Sequence, residues 1–159
     1  MERKYHPLTW GREADLAYRE AAENTKEKAV MRYTAIIEQT HRYKNRMKYI
    51  AETNSFIAKE SYSLGYTLNV KWPYGWIKES GTPPQPHLDV YIMTDREFEL
   101  GDETPVNIIG VFQHAHGDHK LIAVLDDRPI TDLSELEPEE IESLHRLYSG
   151  KYEGDAWLG

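Results

Sequence analysis

Val106-Asn107-Ile108-Ile109-Gly110-Val111-Phe112-Gln113 and Lys120-Leu121-Ile122-Ala123-Val124-Leu125 are two apolar runs joined by the polar link His114-Ala115-His116-Gly117-Asp118-His119. Valine- and isoleucine-rich runs of six to eight residues, interrupted by Gly117-Asp118, read as neighbouring strands. Working outward, Leu88–Met93 is a further strand, and Tyr66–Trp72 alternates as a strand does before Pro73-Tyr74-Gly75-Trp76 turns the chain. Gly81-Thr82-Pro83-Pro84-Gln85-Pro86 is a rigid loop with no helical option. Downstream, Asp132 or Ser134 caps a helix through Leu136, Ile141, Leu144 and Leu147, with glutamates in its first turns and Gly150 at its end. Short strands closed by one terminal helix predict a small, closed or partly open β-barrel over residues 63–159.

Upstream the texture differs. Val30, Tyr33, Ile36, Ile37, Thr40, Tyr43, Met47, Ile50 and Ala51 recur at three- and four-residue spacings, which predicts an amphipathic helix beginning at Thr25. With an Ala-rich segment before it, residues 1–62 read as a helical hairpin that dimerises or packs on the second half. Its polar face is basic between Arg42 and Lys48, and a solvated helix face accounts for that better than a nucleic-acid footprint. The fold class expected is therefore α+β: a helical hairpin, then a β-barrel with a C-terminal helix.

The chain has 159 residues, no cysteine and a formal net charge of −8. That length buries a real core without staples, and the missing thiols exclude disulfides and Cys-based zinc sites. No apolar run approaches the roughly 18 residues of a membrane span, so a soluble, cytoplasmic protein is expected with no membrane partner. Up to Ser80 there are 14 Lys/Arg against 10 Asp/Glu; beyond it, 5 against 17. A carboxylate-rich half repels nucleic acid and attracts divalent cations, although most such carboxylates serve only as a solubilising surface.

Two stretches can gather ligand-type side chains. Alternate residues of an extended chain share a face, which pairs His87 with Asp89 and groups His114, His116 and Asp118. If these strands pair, two carboxylates and up to three imidazoles surround one cation, with Lys120 nearby for an anion. Such a donor set favours manganese, iron or zinc over magnesium. The competing reading makes Gly117-Asp118 a hairpin turn with histidines that bind nothing. No nucleophile elbow, Walker loop or dinucleotide fingerprint occurs.

Taken in order, the second-half segments resemble the soluble family I inorganic pyrophosphatases. Pro73-Tyr74-Gly75-Trp76-Ile77 is similar to that family's Asn-Tyr-Gly-Tyr-Ile, and Leu88-Asp89-Val90-Tyr91-Ile92 to the end of its aspartate signature. Pro105–Phe112, Asp118–Val124, Ile130–Leu136 and the tail from Tyr148 to Trp157 continue the series, which covers about residues 70–159. The resemblance implies an OB-like barrel and metal-assisted hydrolysis of pyrophosphate or a related phosphoanhydride; the composition leads one to expect a cytoplasmic protein, and the hairpin a homo-oligomer. It implies Asp89 and Asp118 as metal ligands, and His87, His114 and His116, which strand parity groups with them, are the expected assisting ligands. Lys120, Tyr74, Tyr148 and Lys151 are implied at the phosphate, and Asp89, Asp118 and Lys120 as the catalytic set. The implied cofactor is magnesium, with manganese or zinc as the alternatives that the histidines suggest.

The sequence departs from the signature Asp-x-Asp-x-x-Asp, because Pro84 and Pro86 stand at its first two carboxylates. Ser149 replaces a lysine, and the family's N-terminal strands, with Glu, Lys and Arg ligands, have no counterpart in a helical hairpin. Two other readings follow from these departures: an inactive module binding a phosphate ligand or protein partner, and an oligomeric scaffold built on the hairpin.

Overall fold

The computed structural model describes residues 32–113, 119–148 and 156–158. Five strands close a barrel: β1 (Arg32–Gln39), β4 (Tyr74–Ile77), β5 (Asp89–Ile92), β7 (Lys120–Leu125) and β6 (Glu103–Gln113). The order is β1-β4-β5-β7-β6, and β6 pairs back onto β1 to complete the ring. β5 and β7 run parallel and the other contacts within the ring are antiparallel. β8 (Ala156–Leu158) extends β6 outside the ring. A second sheet, β2 (Asn45–Ile50) with β3 (Ser55–Tyr62), is a hairpin between β1 and a one-turn helix, α1 (Leu64–Leu68).

Each apolar run owes its length to burial on both faces. On β7, Leu121, Ala123 and Leu125 point into the barrel, while Ile122 and Val124 pack outside it against Leu136, Leu144 and Leu147. β5 divides likewise, Val90 and Ile92 inward, Tyr91 and Met93 outward. Outward cover comes largely from α2 (Pro138–Tyr148). A bulge between Ile108 and Gly110 reverses the parity of β6, so that Ile108 and Val111 both face inward. In β4, a Cβ on Gly75 would run into the backbone carbonyl of Ile36, so the close approach of β1 and β4 requires glycine there.

Three expectations need correction. The helix expected through residues 32–62 is instead three strands, while residues 1–31 lie outside the described residues. Ala35 and Ile37 are fully buried and Ile36 between them only partly, a period of two rather than 3.6. Thr34, Ile36 and Ile37 are β-branched, which favours that extended form. Gln39 fixes the turn into β2: its amide nitrogen donates to the carbonyls of Tyr43 (3.2 Å) and Asn45 (3.1 Å), and its oxygen accepts from Met47 N (2.6 Å). Asn54, at φ 48°, supplies the left-handed residue that turns β2 into β3.

Of the strand expected at 66–72, Tyr66–Leu68 belong to the short helix α1, capped by Ser63, whose hydroxyl accepts from Tyr66 N, and ended by Asn69 at φ 54°, and residues 70–72 are in neither helix nor strand. Conversely, Tyr74–Trp76, expected as a turn, is strand β4. The terminal helix is present, but Asp132 caps a separate 3-10 turn (Leu133–Glu135), and α2 starts at Pro138. No described helix is long and apolar enough to cross a membrane.

Candidate functional site

Sheet register places the central residues. In the parallel pair, Asp89 sits opposite Lys120, and across the antiparallel pair Tyr74 sits opposite Tyr91. Lys120 Nζ donates to Asp89 Oδ2 and to the Tyr74 hydroxyl, both at 2.9 Å, and lies 5.3 Å from the Tyr74 ring centroid. His87 Nε2 is 3.1 Å from Asp89 Oδ1, and its Nδ1 is 2.7 Å from the Gln85 carbonyl. Two oxygen acceptors, one on each ring nitrogen, suit the doubly protonated imidazolium.

These side chains open onto a cavity of about 650 Å³. It is lined by Tyr74, His87, Asp89, Tyr91 and Lys120, by Glu38 from β1, and by residues of the β2–β3 hairpin and α1, Arg46, Lys48 and Lys59 among them. The hairpin is held to the barrel by the Tyr49 ring, 5.1 Å from that of Trp76, and by Tyr49 N donating to Glu38 Oε2 at 3.1 Å.

Electrostatics separate the two carboxylates. Burial opposes ionisation of Asp89, but the His87 hydrogen bond and the charge and hydrogen bond of Lys120 prevail, holding its carboxyl at about 2. Glu38 goes the other way: burial, with repulsion from Asp89, outweighs the Tyr49 amide and raises its carboxyl above the ordinary range. The hydrogen bond to Asp89 raises His87, against the opposing effect of burial. One carboxylate thus stays ionised to fix two cations, while the other takes up a proton more readily.

The structure brings together Tyr74, His87, Asp89 and Lys120 from the expected set. His114, His116, Asp118 and Lys151 lie outside the described residues, as does the side chain of Tyr148 at the end of α2. Sequence reading missed Glu38, Arg46, Lys48 and Lys59. The signal was the expectation of Glu, Lys and Arg on N-terminal strands; those strands exist, and such residues line the cavity from them.

A closed five-stranded barrel with this cluster on its outer face has relatives. The family model for inorganic pyrophosphatase matches residues 35–153. This chain belongs to the inorganic pyrophosphatase family. It is a divergent member, with Pro84 and Pro86 where the signature carboxylates stand. Among solved structures, an inorganic pyrophosphatase from Neisseria gonorrhoeae is similar at 17% identity and a TM-score of 0.62, covering 82% of this chain and 83% of that one. One from Coxiella burnetii is similar at 17% identity and 0.57, covering 76% and 77%. One from Helicobacter pylori is similar at 14% identity and 0.56, covering 83% and 86%. Among curated protein sequences, none is similar enough to register as a relative.

Membership in the pyrophosphatase family implies a divalent cation, which needs several ligands with lone pairs to spare. Among the described residues, no three His, Asp or Glu side chains are grouped to hold one. Asp89 has one oxygen engaged by His87 and the other by Lys120. The described donors thus do not assemble a site for a resident hard cation.

Proposed function

We propose that this chain hydrolyses pyrophosphate, or a related phosphoanhydride, presented as its complex with a divalent cation, magnesium by family and manganese or zinc as alternatives. The observation that carries the reading is the Asp89–Lys120–Tyr74 cluster in a cavity that Arg46, Lys48 and Lys59 also line. Lys120 and the Tyr74 hydroxyl supply donors to phosphate oxygens, and Asp89 keeps the ammonium positioned. Arg46 and Lys48 add charge from the hairpin. With Pro84 and Pro86 at the signature positions, Glu38 is the described carboxylate best suited to take a proton from the attacking water. One P–O bond then forms, the bridging P–O bond breaks, and the second phosphate leaves. Asp118, His114 and His116 remain proposed cation ligands, and Tyr148 and Lys151 proposed phosphate contacts.

Phosphate release from pyrophosphate, measured with magnesium, manganese and zinc separately, tests this. Multiple-turnover release with at least one ion, reduced in Glu38→Gln, is expected. Absence of turnover with all three overturns it.

A further inference from the structure

The cavity is larger than the inorganic substrate needs, and its walls have two characters. Pyrophosphate has about nine non-hydrogen atoms, which at about 30 Å³ each, a water molecule's share of the liquid, fill roughly 270 Å³. The cavity measures about 650 Å³, within the range of sites for drug-sized organic ligands. Away from Lys120 its wall is not only cationic. Tyr62 and Tyr66 line it with their rings edge to face, centroids 5.2 Å apart, and they are 62% and 45% exposed. Lys44 Nζ lies 5.9 Å from the Tyr66 centroid, placing a cation beside these rings. Pro83 and Pro84 add apolar surface.

Cations alone would serve an inorganic polyphosphate. Exposed aromatic faces in the same cavity serve a ligand with a flat, apolar ring, since base–aromatic stacking needs only a π-face and tolerates any base. We infer that the cleft takes a nucleoside polyphosphate, its anhydride at Lys120 and Tyr74 and its base against Tyr62 and Tyr66. The anhydride end rests on the hydrolase reading above; the base end rests on the rings and the volume. Pyrophosphate would fill less than half of this cavity, so Tyr62 and Tyr66 become specificity-determining residues for the larger ligand.

Calorimetric titration of the full chain with three probes tests the inference: pyrophosphate and inorganic triphosphate, each in its non-hydrolysable methylene-bridged form, and a β,γ-methylene analogue of ATP, each with magnesium. The analogue is expected to bind about tenfold tighter than triphosphate, within the range of base stacking. Tyr62→Ala and Tyr66→Ala should each weaken the analogue at least about fivefold, leave pyrophosphate within about twofold, and be rescued by Tyr62→Phe and Tyr66→Phe. Both positions are exposed, and circular dichroism serves as the check that each variant is folded. The inference is overturned if the analogue binds no tighter than triphosphate, or if the alanine variants weaken all three probes alike. Because the analogue is not cleaved, a failure of hydrolysis leaves this test standing; pyrophosphate turnover without preferential analogue binding overturns the inference alone.

Discussion

Replacing Asp89 with asparagine keeps the shape of the side chain and removes its charge, which makes it a clean probe of the cluster. The carboxyl sits at about 2 instead of 3.8. At 1.36 kcal/mol per pH unit, that difference is worth about 2 kcal/mol of folding stability at neutral pH. Removing one partner of a buried pair costs about 3–5 kcal/mol, but Asp89 keeps some solvent and Lys120 keeps the Tyr74 hydroxyl, so about 2–3 kcal/mol is the expected loss. The folded-state value is depressed, so the stabilisation is fully present above pH 3.8 and disappears as pH falls through about 2. Urea melts followed by tryptophan fluorescence should therefore show a constant gap between wild type and Asp89→Asn from about pH 6, where His87 is charged, down to about pH 4, narrowing below it. A gap under about 0.5 kcal/mol at pH 7, or one that ignores acid, would refute the assigned geometry.

Gly75→Ala should cost about 3 kcal/mol or more, because its methyl meets the Ile36 backbone; a thermal midpoint within about 2 °C of wild type would contradict the packing of β1 on β4. Leu144→Ala, at a buried position on α2, should lose about 2–4 kcal/mol in denaturant melts, and a surface-like loss would mean that α2 does not cover the barrel. The His87–Asp89 interaction raises the imidazole, so its stabilisation is present below about pH 6.5 and lost as pH rises through the higher folded-state value. The stability gap between wild type and His87→Ala should accordingly be larger at about pH 5 than at about pH 9, and a gap growing with pH would show the assigned pairing to be wrong.

What could be read from the sequence followed burial. β6 and β7 were legible because both faces of each are covered, turning them into continuous apolar runs. The terminal helix was legible because Ile141, Leu144 and Leu147 meet one core cluster. The hairpin was not. Most of β3 is exposed, so no inward-facing alternation marks it, while Tyr33, Ile36, Thr40, Tyr43 and Met47 fall by coincidence at helical spacing. The Tyr49–Trp76 contact that docks β2 on the barrel joins residues far apart in sequence. Asp89 and Lys120 were legible through their motifs, and register then explains their contact. Glu38, Arg46 and Lys48 were missed because they lie on strands that read as helix.

The central claim is that Lys120, held by Asp89 and Tyr74, receives the phosphate oxygens of the substrate. The most direct test is a calorimetric titration of methylenediphosphonate, the non-hydrolysable form of pyrophosphate, with magnesium into wild type and Lys120→Met. Loss of a charged hydrogen bond of about 1.5–3 kcal/mol predicts a dissociation constant weaker by about tenfold to a hundredfold. An unchanged constant in a folded Lys120→Met protein would contradict the account.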